Sequence, residues 1–94
     1  MVIVEITAEA QRQFVTLPRV IKKRVESLIE RLEKWPDVSG AKPLTGDLAG
    51  RYRMRTGDYR IQFHVTPGKP RDTPPVPDRV VIEKMGHRDG FYGE

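Results

Sequence analysis

The sequence RYRMRTGDYRIQFHV, residues 51–65, carries the clearest structural pattern of the chain. Residues 51–55 alternate strictly between arginine and the uncharged side chains of Tyr52 and Met54, and residues 59–65 alternate again between apolar and polar ones. The tripeptide Thr-Gly-Asp at 56–58 has the composition of a tight turn. Because successive side chains of a strand point to opposite faces, this pattern predicts a β-hairpin with one polar and one apolar face.

The residues that precede the hairpin predict one strand and two helices. Residues 2–6 are rich in β-branched side chains and predict a strand, and Thr7 is placed to cap a helix that begins at Ala8. Pro18 suits the first turn of a second helix, whose apolar residues recur every three or four positions until Pro36 ends it. The apolar positions of the second helix are Ile21, Val25, Leu28, Leu32 and Trp35.

The remaining segments complete an α+β arrangement. Residues 37–50 are rich in turn-forming side chains and predict a loop that returns the chain to the sheet. Residues 66–78 contain five prolines and predict a long, extended loop, and residues 79–85 predict a last strand. The order β-α-α-β-β-β predicts two helices packed on one face of a small, mainly antiparallel twisted sheet.

Length and composition exclude several classes of protein. The 94 residues predict a single domain over positions 1–94. No apolar run approaches the roughly 18 residues that span a bilayer, and no signal-peptide pattern is present, so we expect a cytoplasmic protein without a membrane partner. With no cysteine and two histidines, the sequence predicts neither a metal site nor a small-molecule cofactor.

The positive charge is concentrated in the hairpin. Residues 51–60 hold four arginines against one aspartate, which is three of the four net positive charges of the chain. Arginine stays charged and presents a planar fork of donors that fits phosphate. Strand alternation and hairpin pairing are expected to bring Arg53, Arg55 and Arg60 into one patch, for which nucleic acid or an acidic protein is the expected partner. An ordinary solvated sheet face is the alternative interpretation.

The C-terminal tail offers groups that could move protons. His87, Arg88 and Tyr92 follow the last strand, which could return them toward the hairpin. Histidine titrates near neutrality, so His87 is a candidate general acid or base, and Tyr92 could transfer a proton or stack on a base. The structural alternatives are a surface histidine and a ring that packs the tail onto the sheet. His64 is interpreted as a structural or surface residue, and the side chains predicted to be core are Trp35, Tyr52 and Tyr59.

Several short motifs, in order and at matching distances, resemble the RelE/ParE superfamily of bacterial toxins from toxin–antitoxin modules. The resemblance covers nearly the whole chain and is closer to the RelE branch, the mRNA interferases. The motifs that carry it are residues 4–7, Leu17-Pro18, 43–48, 50–55, 57–61, 86–88 and Tyr92. Each motif is weak by itself, and the combination is specific.

The resemblance implies a ribosome-dependent, metal-free endoribonuclease that cleaves mRNA in the ribosomal A site and inhibits translation. In the reaction that the resemblance implies, the ribose 2′-hydroxyl attacks the adjacent phosphate, and the products are a 2′,3′-cyclic phosphate and a 5′-hydroxyl. It implies that Arg60 and Arg88 hold the reacting phosphate and that His87 or Tyr92 moves protons. Three further arginines are implied to bind phosphate or the flanking RNA backbone: Arg51, Arg53 and Arg55.

One departure from the family pattern and two alternatives bear on this function. Some members carry a lysine where this chain has arginine, and an arginine that stays cationic leaves proton transfer to His87 and Tyr92. The alternatives are a ParE-type inhibitor of DNA gyrase and a non-catalytic relative that only binds its antitoxin. In every case the resemblance implies a cognate antitoxin protein as partner, with the ribosome and mRNA as further partners of a RelE-type enzyme.

Overall fold

The computed structural model describes residues 2–91, which form two α-helices and a five-stranded mixed sheet. The helices are α1 (Ala8–Val15) and α2 (Arg19–Leu32). The strands are β1 (Ile3–Ile6), β2 (Lys42–Pro43), β3 (Arg51–Thr56), β4 (Tyr59–Thr66) and β5 (Arg79–His87), with a 3-10 turn at Gly46–Leu48. The order of strands across the sheet is β1-β5-β4-β3-β2, and the α+β prediction is confirmed.

Antiparallel pairing dominates the sheet, as predicted. The β2–β3, β3–β4 and β4–β5 pairs are antiparallel, and only the edge strand β1 runs parallel to its neighbour, β5. The predicted hairpin is β3–β4, in which Thr56 pairs with Tyr59 and leaves Gly57 and Asp58 as a two-residue turn. Gly57 has a φ of 60°, and a two-residue hairpin turn needs a positive φ at the first of its two turn residues.

Both predicted helix starts are confirmed. The Thr7 hydroxyl accepts a hydrogen bond from the Ala10 backbone N–H at 3.1 Å and donates one to the Glu83 carbonyl at 2.9 Å. It therefore caps α1 and fastens it to β5. Pro18 precedes the first turn of α2, where a missing N–H costs little. Helix α2 ends at Leu32 rather than beside Pro36, because hydrogen bonds between residues three apart tighten the chain there.

The apolar sides of the helices pack on one face of the sheet. Phe63 is fully buried at the centre, and the rings of Trp35 and Tyr52 lie 5.5 and 5.4 Å from its ring centroid. These two rings and Tyr59 are partly buried against the core, which confirms their predicted placement. The other buried core side chains are Ala10, Leu17, Val25, Leu28, Leu32, Met54, Ile61, Val80, Ile82 and Met85.

Segment 37–50 and the ends of several strands differ from their predictions. The predicted loop 37–50 contains β2, in which Lys42 pairs with Arg53 and Pro43 with Tyr52. Proline is acceptable there because β2 is an edge strand, so its missing donor leaves no unpaired partner. Strands β3 and β4 each extend one residue beyond their predicted ends, and β5 extends two residues.

The proline-rich segment forms a long loop, as predicted, but the loop is not extended, so that part of the prediction was wrong. It folds back on itself, and the backbone N–H groups of Lys69 and Val76 donate to each other's carbonyls at 2.7 and 2.9 Å. Gly68 permits this approach, since a Cβ at that position would lie 2.2 Å from the Val76 carbonyl oxygen. The Gly68 N–H also donates to Asp78 Oδ1 at 2.7 Å. In the described chain, no helix is both long and apolar enough to cross a membrane.

Replacing Gly57 with alanine is expected to destabilise the protein through backbone strain alone. A Cβ there would meet Arg24 Nη1 at an ordinary contact distance of 3.6 Å, so steric collision does not contribute. The positive φ costs a residue with a Cβ about 1–2 kcal/mol. Urea unfolding measures the loss, with Gly86→Ala as the matched control, because Gly86 has no positive φ and only an ordinary contact at 3.9 Å. Equal stability of both variants contradicts the prediction.

Candidate functional site

The sheet face opposite the helices, here called the outer face, carries cross-strand rows of charged and polar side chains. Strand alternation places the arginines of β3 on this face, and the register of β4 and β5 determines their neighbours. Starting at the hairpin turn, the rows are Arg55 with Arg60 and Gly86, then Arg53 with Gln62 and Lys84, then Arg51 with His64. The four arginines therefore share one face.

Arg51 is neutralised by an acidic residue to which the sequence pattern gave no role. Its Nε lies 3.0 and 3.2 Å from the two carboxylate oxygens of Glu83. The carboxylate also accepts a hydrogen bond from Gln62 Nε2 at 3.4 Å and lies 3.2 Å from His64 Nδ1. Glu83 sits at a bulge, since Lys84 pairs with Gln62 whereas Phe63, the next residue of β4, pairs with Ile82. An acidic residue directly after the apolar run Val80–Ile82 was the sequence signal for this cluster.

Three arginines of the described residues have a buried Nε without a hydrogen-bond partner, and of these Arg79 faces the Glu5 carboxylate at 3.2 Å, which leaves Arg53 and Arg60. Both side chains are half-buried, and within residues 2–91 neither Nε has a hydrogen-bond partner. A buried donor without a partner costs about 1–3 kcal/mol, a cost that a bound anion would remove. Arg55, in the same row as Arg60, is exposed. This part of the outer face is therefore built to accept a negatively charged group.

A buried amide side chain, that of Gln62, lies among these arginines on the outer face. Gln62 is only 5% exposed, and its Oε1 has no hydrogen-bond partner among the described residues. It lies between Arg53 and Lys84 in the middle row. A ligand on the outer face would thus meet guanidinium donors around a buried amide.

The C-terminal tail returns to the outer face. The Arg88 backbone N–H donates to the Asp58 carbonyl at 2.8 Å, which fastens the tail to the hairpin turn. Phe91 is buried, and Lys84 Nζ lies 4.6 Å from its ring centroid and donates to its carbonyl oxygen. The ring also lies beside Gly86, which is the cross-strand neighbour of Arg60. The tail therefore borders the arginine rows.

Of the three tail residues predicted to act in catalysis, His87 and Arg88 do not join the arginine rows in the described structure. The Arg88 guanidinium lies beside two carboxylates, with its Nε 3.8 Å from both Asp58 Oδ1 and Asp89 Oδ1. His87 pairs with Tyr59, so strand alternation assigns it to the helix side of the sheet end, where its ring meets the Tyr59 ring edge-on at 5.2 Å. Its Nδ1 accepts a hydrogen bond from the Asp89 N–H at 3.1 Å. Tyr92 lies outside the described residues.

The arrangement is suited to binding anions. Within residues 2–91, no three His, Cys, Asp or Glu side chains are grouped so as to hold a metal ion. The outer face instead presents nitrogen donors from Arg53, Arg55 and Arg60, which bind phosphate well. A site of this kind can stabilise negative charge, and proton transfer requires a separate group.

Comparison with solved structures gives matches over nearly the whole chain. A chain of the toxin–antitoxin complex RelBE2 from Mycobacterium tuberculosis is 30% identical, with a TM-score of 0.71 over 93% of this chain and 98% of that one. The archaeal RelE–RelB complex from Pyrococcus horikoshii gives 25% identity and a TM-score of 0.64 over 93% and 94%. The isolated Escherichia coli RelE toxin gives 12% identity and a TM-score of 0.68 over 93% and 84%, a likeness of fold alone. No family model and no curated protein sequence gives a significant match.

Proposed function

The chain belongs to the RelE family of toxins, and from that membership we propose that it is a metal-free endoribonuclease that cleaves mRNA on the ribosome. The observation that carries the proposal is the pair of half-buried arginines, Arg53 and Arg60, whose Nε donors have no partner among residues 2–91. A phosphate of an RNA chain would supply the missing acceptors. The tail that borders these rows supports the same site.

The proposed reaction is attack of a ribose 2′-hydroxyl on the adjacent phosphate. Negative charge grows on the phosphate oxygens in the transition state, and Arg53 and Arg60 would stabilise it. Arg55 and Arg88 would hold the same phosphate or its neighbours, and Arg51 would contribute less because Glu83 neutralises it. The family resemblance assigns proton transfer to His87 or Tyr92. The products are a 2′,3′-cyclic phosphate and a 5′-hydroxyl.

The proposed partners follow from the same relatives. Related structures are complexes of a toxin with its antitoxin, and we propose that this chain also binds an antitoxin. An acidic antitoxin segment would neutralise the arginine rows of the outer face and so inhibit the toxin. Action on translating ribosomes would take place in the cytoplasm.

Expression of the chain without an antitoxin is expected to stop growth by cutting translated transcripts. Mapping of mRNA ends in expressing cells checks this, and the new ends should lie inside translated frames and carry 5′-hydroxyl groups. The same mRNA with its start codon removed is the matched control, and it should stay intact. Intact transcripts together with gyrase-linked DNA breaks would indicate a ParE-type inhibitor. Intact transcripts and intact DNA would indicate a non-catalytic relative.

A further inference from the structure

The outer face carries a histidine that the sequence pattern left as structural. His64 stands in the row of Arg51, and its Nδ1 lies 3.2 Å from Glu83 Oε2. Its side chain is 36% exposed, whereas that of Glu83 is 21% exposed. The histidine is therefore held from within the sheet by a carboxylate while part of its ring stays open to solvent.

The carboxylate beside His64 is itself fixed from two other strands. Arg51 of β3 contacts both of its oxygens, and Gln62 of β4 donates to Oε1. A carboxylate held in this way favours a proton on the facing Nδ1 of the histidine. The lone pair then lies on Nε2, which is the arrangement of a general base oriented by an acidic partner.

The other histidine, His87, faces a carboxylate that is far more exposed than Glu83. His87 Nδ1 accepts the Asp89 N–H at 3.1 Å and also lies 3.5 Å from Asp89 Oδ2, a carboxylate whose side chain is 81% exposed, so among the described residues no carboxylate fixed within the sheet orients this ring. His87 is also paired with Tyr59, five residues from His64 along β4, which is about 17 Å at the rise of a strand. One reacting phosphate cannot be served by both histidines. His64 shares the outer face with Arg53 and lies one row, about 7 Å, away.

We propose that His64, positioned by Glu83, is the general base of RNA cleavage, an inference that rests on the proposed function. His64 Nε2 takes the proton of the ribose 2′-hydroxyl as the 2′-oxygen forms a bond to phosphorus. The bond from phosphorus to the 5′-oxygen breaks, and that oxygen takes a proton from water. The imidazolium then returns its proton to the resulting hydroxide. Arg53 stabilises the phosphate charge throughout.

The test is single-turnover and steady-state cleavage of mRNA on programmed ribosomes by the purified full chain. His64→Gln should lower kcat by about 10²-fold or more, the usual contribution of a general base, while KM changes by less than about twofold. Glu83→Gln should lower kcat by about tenfold or more, because the histidine loses its orientation. Added imidazole should restore cleavage to His64→Ala, a rescue that a purely structural role would not allow.

The matched control is Glu5→Gln, which removes the same charge from another arginine–glutamate pair of the sheet. Glu5 lies 3.2 Å from Arg79 Nε, and Glu5→Gln should cleave at the parent rate. Thermal melting of every variant identifies any that fail to fold, and His64→Asn replaces His64→Gln in that case. Cleavage by the folded His64 variant within about threefold of the parent, or no rescue by imidazole, overturns the assignment of His64 alone. No cleavage by the parent overturns the proposed function and this inference with it.

Discussion

The variant Arg60→Ala is expected to cleave mRNA on the ribosome about 10²- to 10³-fold more slowly than the parent chain, since it loses a donor that stabilises charge in the transition state. The double variant Arg53→Ala/Arg60→Ala should have no measurable activity. The rate constant for cleavage of mRNA on programmed ribosomes measures both losses. Arg12→Ala, which removes the same charge from the exposed surface of α1, is the matched control and should cleave at the parent rate.

Measuring the stability of the same variants distinguishes a catalytic role of Arg53 and Arg60 from a structural one. The Nε groups of Arg53 and Arg60 have no partner among residues 2–91, so their removal takes away no hydrogen bond at those atoms. We expect each single variant to be at least as stable as the parent chain in urea, because truncation removes an unpartnered buried donor and no hydrogen bond at that atom. A loss of stability that parallels the loss of cleavage would return both residues to a structural role.

Much of the fold could be predicted because its hairpin has one buried face. In 51–65 every second side chain must enter the core, so the alternating pattern fixes both the strands and the polarity of their faces. Thr7 and Pro18 could be assigned because helix caps depend on neighbouring residues. Edge strand β2 could not be predicted, because its two residues are held by pairing with β3 and have no sequence pattern of their own.

The candidate site was only partly predictable, because contacts between strands decide which arginine has an acidic partner. The alternation of β3 assigns its arginines to one face, and it cannot show which of them has an acidic partner. That depends on the bulge at Glu83, which sets the position of the carboxylate relative to Arg51 and His64. The bulge involves strands about twenty residues apart in the chain, so no local pattern indicates it. The same distance between elements explains why His64 was interpreted as structural.

The fold that carries this site depends on a small core, and Phe63→Ala is expected to damage it severely. Phe63 is fully buried, stacks on Tyr52 at 5.4 Å and meets the edge of Trp35 at 5.5 Å. Truncation to alanine removes these contacts and leaves a cavity, which together cost about 3–5 kcal/mol. Domains of this size are stable by only about 5–15 kcal/mol, so the variant should be close to unfolding.

Urea unfolding of Phe63→Ala, followed by circular dichroism, measures this loss. The midpoint should fall steeply while the slope of the transition stays near that of the parent, because the unfolded surface is nearly the same. Val15→Ala is the matched control: Val15 is also apolar and is 61% exposed on α1, so its truncation should change stability by less than about 0.5 kcal/mol. A loss below about 1.5 kcal/mol for Phe63→Ala would show that the helices, rather than the ring cluster of β3 and β4, carry most of the stability on which the outer face depends.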